Sequence, residues 1–100
     1  MENQVVTREA QILQAIPDGF ARVNVTFAGM NGDMTDPIRY DATDGDIKAM
    51  VAEAIRSGSI PGVTAQTAVD LSDFVVDRFT PTADRPFATM TIRPKTAFGA

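Results

Sequence analysis

With 100 residues, 44% hydrophobic and 22% charged, and a net charge of −4, the chain has the composition of one soluble globular domain. It has no cysteine and no histidine, which removes disulfides, Ser-His-Asp and Cys-His catalysis and ordinary zinc sites. The negative charge gives no basic field for nucleic acid, and no apolar run approaches the ~20 residues that span a bilayer. The chain is therefore expected not to be an enzyme, to need no cofactor or metal, and to bind neither nucleic acid nor membrane. The opening Met1-Glu-Asn-Gln lacks the basic and apolar regions of a signal peptide, so a cytoplasmic location in a bacterial or phage setting is the default expectation.

Residues 1–19 read as an N-terminal extension. Within it, 7–16 is a candidate short helix with Ile12, Leu13 and Ile16 partly on one side, closed by Pro17-Asp18-Gly19. It is either an extension lying on or frayed from the domain, or a docking segment for a partner or a second copy. From Phe20 the pattern alternates. Val23, Val25 and Phe27 point one way and Arg22, Asn24 and Thr26 the other, which predicts a strand with one buried face. Asn31-Gly32 is a strong turn signal. A second strand is expected over 38–41, with Ile38 and Tyr40 in phase and Pro37 tolerated at its start. The two strands most simply form an antiparallel hairpin.

The strongest local signal spans 44–58. Ile47, Met50, Val51, Ala54 and Ile55 recur at helical spacing, while Lys48, Glu53 and Arg56 fall elsewhere. Thr43 or Asp44 can cap the start, with Thr43-x-x-Asp46 a weak capping box. Asp44, Asp46 and Arg56 suit the helix dipole, and Gly58 suits a left-handed C-cap.

Ile60-Pro61-Gly62-Val63 reads as a turn, and 64–73 as irregular with room for one short strand. Residues 74–79 are rich in β-branched and aromatic residues and predict a strand. Residues 80–86 form a loop. Residues 87–93 predict a last strand, with Ala88, Met90 and Ile92 on one face and Phe87, Thr89 and Thr91 on the other. Pro94 ends it, and 95–100 is expected to be a flexible C-terminal tail. The order ββαββ implies a two-layer α+β domain over 20–94, with one helix covering a mixed sheet. If the last strand lies beside the first, the two run parallel at the sheet centre.

This layout resembles the β-grasp fold of ubiquitin-like proteins. The stretch carrying the likeness is Pro37-Ile-Arg-Tyr-Asp-Ala-Thr-Asp-Gly-Asp-Ile-Lys-Ala-Met-Val-Ala-Glu-Ala-Ile, a strand whose polar turn opens directly into the helix. The ending Phe87-Ala-Thr-Met-Thr-Ile-Arg-Pro-Lys-Thr-Ala-Phe-Gly-Ala is similar to the last strand and exposed tail of that group. Within it the chain looks most like prokaryotic ubiquitin-like proteins. The resemblance implies a modifier conjugated through a C-terminal glycine, with Gly99 as the conjugation residue and Ala100 removed by processing. It implies as partners an activating (E1-like) enzyme, a conjugating (E2-like) enzyme and a JAB-type deubiquitinase-like protease. The chain departs from ubiquitin in ending Phe-Gly-Ala rather than Gly-Gly and in lacking a basic residue directly before the glycine. The alternative is a β-grasp interaction or assembly domain that is never conjugated and pairs through a sheet edge or its N-terminal segment.

Other constellations weigh less. Asp33, Asp36, Asp41, Asp44 and Asp46 are close in sequence, but their spacing does not match an EF-hand, and turn formation and helix capping explain them. Phe74, Phe79 and Phe87 are expected in the core. Phe98 and Lys95 are candidate partner-binding residues, with Phe98 either exposed for recognition or docked on the sheet.

Overall fold

The computed structural model describes residues 16–95. Five strands and one helix follow in the order β1 (Phe20–Phe27), β2 (Met30–Asp33), β3 (Ile38–Arg39), α1 (Asp44–Ser57), β4 (Phe74–Phe79) and β5 (Ala88–Pro94). The architecture is α+β, one helix on a mixed five-stranded sheet. The path through the sheet is β2-β1-β5-β4, and β3 pairs with β1 beyond the end of β2. The inner strands β1 and β5 run parallel, from Ala21 opposite Ala88 to Val25 opposite Ile92. Each has an antiparallel outer partner.

The alternation in β1 does what the sequence pattern requires. Ala21, Val23, Val25 and Phe27 are buried, and the residues between them are half-buried on the other face. Ala88, Met90 and Ile92 of β5 extend the same buried face. The α1 side chains Ile47, Val51, Ala54 and Ile55 close over it, so the core is almost wholly aliphatic. At one end of this core the rings of Phe27 and Phe74 lie 5.9 Å apart.

The first hairpin turns earlier than expected. Its turn is Ala28-Gly29, with φ of 52° and 78°, and two consecutive left-handed residues are what a tight two-residue hairpin needs. Asn31-Gly32 therefore lies inside β2 and not in a turn. Gly32 is required there for a different reason. A Cβ on it would sit 2.0 Å from the carbonyl oxygen of Pro61, so β2 can approach the 60–63 turn only without a side chain. The strand expected over 38–41 is reduced to the two residues of β3, and β2 precedes it where only a turn was expected. Met34 still donates its N–H to the Val23 carbonyl (2.9 Å), and Ile38 pairs with Ala21. Residues 35–37 thus bulge out where β1 spends only Arg22.

The helix has the caps expected of it. The Thr43 hydroxyl accepts from the Asp46 N–H at 3.1 Å, and Gly58 closes the C-terminus at φ 71°. Asp44 is left free to pair with Arg78 of β4 at 2.8 Å. Arg78 also donates to the Tyr40 and Ala42 carbonyls, tying the helix entry to the sheet. The buried face is rotated from its predicted position. Met50 is 43% exposed, whereas Ala52 is buried. The 60–73 segment causes this rotation. It runs along the Ala52 flank, burying Ile60, Val63 and Leu71. Lys48 and Arg56 donate to its Ser72 and Val69 carbonyls. It contains no strand, and side chains facing the helix hold it in place of a sheet ladder.

Candidate functional site

Two places remain for function once the core is accounted for: the end of β5, where the tail begins, and the sheet face that α1 leaves open. The conjugation residue Gly99, the processing residue Ala100 and Phe98 lie outside the described residues, as does most of the 7–16 helix expected from sequence. Lys95 is described and is exposed. It follows Arg93 and Pro94, both exposed, at the end of a strand whose middle is buried. The last rungs of β5 face the start of β4, Arg93 opposite Val75 and Pro94 opposite Phe74. Arg93 is held by the Asp77 carboxylate at 3.0 Å. The chain thus leaves the sheet from an inner strand, with its final rungs fixed and the next residue in solvent.

The open face is polar. Asn24 and Asn31 exchange amide hydrogen bonds of 3.0 and 2.8 Å, and Asn31 also donates to the Thr26 hydroxyl (2.8 Å). Asn24 donates to Asp33 (2.8 Å), whose carboxylate is paired with Arg22 at 3.0 Å. Arg22 in turn lies over the Phe87 ring, 5.7 Å from its centroid. Its Nε is buried with no hydrogen-bond partner among the described residues. Phe79 belongs to this face too. It was expected in the core, yet it is 47% exposed. In β4 the alternation sends Phe74, Val76 and Arg78 toward the helix and Val75, Asp77 and Phe79 away. Phe87 is half-buried, not in the core. Its loop is braced by Arg85, which donates to the Thr80 carbonyl (2.6 Å) and the Phe87 carbonyl (3.3 Å).

Two shallow grooves flank this face. One, of about 380 Å3, is bordered by Arg22, Asn24, Asp33, Met34, Pro37 and Pro61. The other, of about 300 Å3, is bordered by Phe20, Tyr40, Pro81, Pro86 and Phe87. Ile16 lines both.

The aspartates that cluster in sequence are dispersed in space. Asp33 faces Arg22, Asp41 faces Arg39 at 3.0 Å, and Asp44 faces Arg78. Among the described residues no three carboxylates gather as a metal site would require. Hydrogen bonding to Arg39, and then its charge, hold the Asp41 carboxyl below its ordinary range and raise the Arg39 guanidinium in return. Asp70 is also lowered, by hydrogen bonds from the backbone N–H and the side chain of Ser72. All three groups are solvent-exposed, so these shifts stabilise local turns and do not poise a group for catalysis. Among the described residues no helix is long and apolar enough to cross a membrane.

The alternation of β1 already puts Arg22, Asn24 and Thr26 on the open face; the sequence misplaces Phe79 and Phe87, which it assigns to the core. Strand phase could have separated Phe79 from Phe74, since the two are an odd number of residues apart and must face opposite ways. Compared with protein-family models, curated proteins and solved structures, the chain matches none of them.

Proposed function

We propose that the chain is a β-grasp protein of the ubiquitin-like kind, acting as a protein modifier conjugated through Gly99 after removal of Ala100. One observation carries the reading. Two antiparallel hairpins put their inner strands, β1 and β5, parallel at the sheet centre with the single helix across one face. The C-terminal strand of that pair ends in exposed residues. Such a body presents a carboxyl-terminal tail to an enzyme without unfolding anything. Adenylation of the Gly99 carboxylate by ATP would release pyrophosphate, and a thiol would then displace AMP. With no cysteine in this chain, that thiol belongs to the E1-like or E2-like partner. A glycine suits the reacting end because a backbone without Cβ can thread a narrow channel.

The test is intact mass after co-expression with the neighbouring genes. The modifier reading expects loss of Ala100 and an ATP-dependent thioester or amide at Gly99. An unchanged mass with an E1-like enzyme and ATP present sinks it.

A second reading, a non-conjugated interaction domain, draws on β4. This strand is at the sheet edge, unpaired on its outer side among the described residues, with Phe79 exposed beside it. It expects a stable complex that forms without ATP and weakens on Val75→Pro. A complex indifferent to that change removes the β4 edge as its basis.

A further inference from the structure

We propose that Asn31-Gly32 is a self-modification site, at which Asn31 converts irreversibly to aspartate or isoaspartate once the first hairpin opens, and that the lattice of Asn24, Asn31 and Thr26 keeps it closed in the folded chain. The inference stands apart from the conjugation reading, because no part of it involves the C-terminal tail.

The chemistry needs nothing but water. The Gly32 backbone nitrogen loses its proton to solvent base and attacks the side-chain carbonyl carbon of Asn31. A new C–N bond forms, the carboxamide C–N bond breaks, and the leaving nitrogen takes a proton from water and departs as ammonia. Water then adds to either carbonyl of the cyclic imide. One opening leaves aspartate in a normal chain, and the other leaves isoaspartate, with the chain routed through the side chain. A glycine after the asparagine opens this path, because no Cβ shields the attacking nitrogen. At Asn24 the next residue is Val25, whose branched Cβ does shield it. The fold itself builds the site in, since Gly32 must lack a Cβ to clear the Pro61 carbonyl oxygen.

The folded chain holds both reacting groups. Hydrogen-bonded pairs of an antiparallel ladder recur at every second residue. Met34 donates to the Val23 carbonyl at 2.9 Å, and Gly32 lies opposite Val25, so the Gly32 N–H is directed at the Val25 carbonyl. Ring closure also needs the Asn31 backbone to leave the strand ψ of about +135°. The carboxamide is fixed at both ends. Its oxygen accepts from Asn24 at 3.0 Å, and its nitrogen donates to the Asn24 oxygen and the Thr26 hydroxyl, each at 2.8 Å. On the outer edge of β2, the Asn31 carbonyl lies so near Gly62 that a Cβ there would sit 2.5 Å from it. Asn31 is nonetheless exposed, so pairing protects it and burial does not. Refolding cannot undo the conversion. A carboxylate has no N–H for the Asn24 oxygen and adds a charge on the same face as Asp33. Isoaspartate inserts a backbone methylene ahead of Gly32 and shifts it against Pro61.

The test follows Asn31 in the full chain, incubated in mildly alkaline buffer either folded or unfolded in urea. Conversion is read from the gain in mass and located by peptide fragmentation. The folded chain should convert at least about tenfold more slowly than the unfolded one, the factor that about 1.4 kcal/mol of opening free energy supplies. Asn24→Ala should raise the folded rate several-fold. Thr43→Ala, which weakens the helix and leaves the lattice intact, should keep it near the native value. Equal rates in the folded and unfolded chains overturn the proposal. So does a rate for Asn24→Ala no higher than that for Thr43→Ala, since general unfolding would then set the rate and not the lattice. The converted chain, isolated by ion exchange and returned to folding conditions, should show shifted amide signals at Asn24, Thr26 and Gly32 with those of Val51 and Ile55 unmoved. Native signals at all three positions also overturn it.

Discussion

The two faces of the sheet are built from the same strands and differ in nearly every physical respect. On the covered face, Val23, Val25, Met90 and Ile92 meet Ile47, Val51 and Ile55 with no exposure at all. On the open face, one residue along each strand, Arg22, Asn24, Thr26, Asn31 and Asp33 join in a hydrogen-bonded lattice that solvent reaches at Asn31. The first face excludes water and supplies most of the free energy that favours the fold. The second contributes pairs that compete with water and so are each worth little in stability. Stability is thereby confined to one side of the two-residue period of a strand, and the open face can change its chemistry without threatening the core.

That contrast can be broken most severely from the covered side. Ile47→Ala, at a site with no solvent exposure, should cost about 2–5 kcal/mol, read from the urea midpoint. A loss below about 1 kcal/mol would mean the helix is not fixed by this face. Gly32→Ala comes next. Its Cβ would sit 2.0 Å from the Pro61 carbonyl oxygen, and overpacking of this kind costs about 1–3 kcal/mol. Preserved stability would show that the 60–63 turn yields freely. Thr43→Ala removes the helix cap and should cost about 1 kcal/mol, checked by the same titration.

Smaller effects belong to the exposed pairs. Arg93→Ala, which breaks the pair with Asp77, should change stability by under about 1 kcal/mol, and less at high salt. A larger loss would make the open face a structural element after all. The smallest effect is a pH dependence. Asp41 and Asp70 are held below the ordinary aspartate value of 3.8. Their contribution is present above that value and is lost as the pH falls through their lowered folded values. Asp70→Asn should slightly lower stability at neutral pH and flatten the acid side of the profile, so that the two proteins converge at low pH, and a difference that appears only in acid would reverse the sign of this argument.

Periodic signals made much of this fold legible. The alternation of β1, the span of β4 and the caps of α1 followed from local chemistry, and local chemistry decides those features. The turn of the first hairpin did not, because Asn31-Gly32 is the better local turn but Ala28-Gly29 fits the register set by Val23 and Val25. Gly32 is glycine because of Pro61, 29 positions away, and no local pattern carries that. Likewise Met50 is exposed because the 60–73 segment selects which flank of the helix to cover, a tertiary choice outside any hydrophobic period. Of the candidate site, the exposure of Lys95 past Pro94 follows from the proline that ends β5. The lattice of Asn24, Asn31 and Asp33 needed the register.

If function resides at the tail while the covered face carries the fold, the two must be separable by one substitution. The direct measurement pairs intact mass with thermal unfolding for Gly99→Val, co-expressed with the neighbouring genes in the presence of ATP. The account predicts an unchanged unfolding midpoint and no adduct, where the native chain forms one. An adduct of equal yield on the Gly99→Val chain would contradict it.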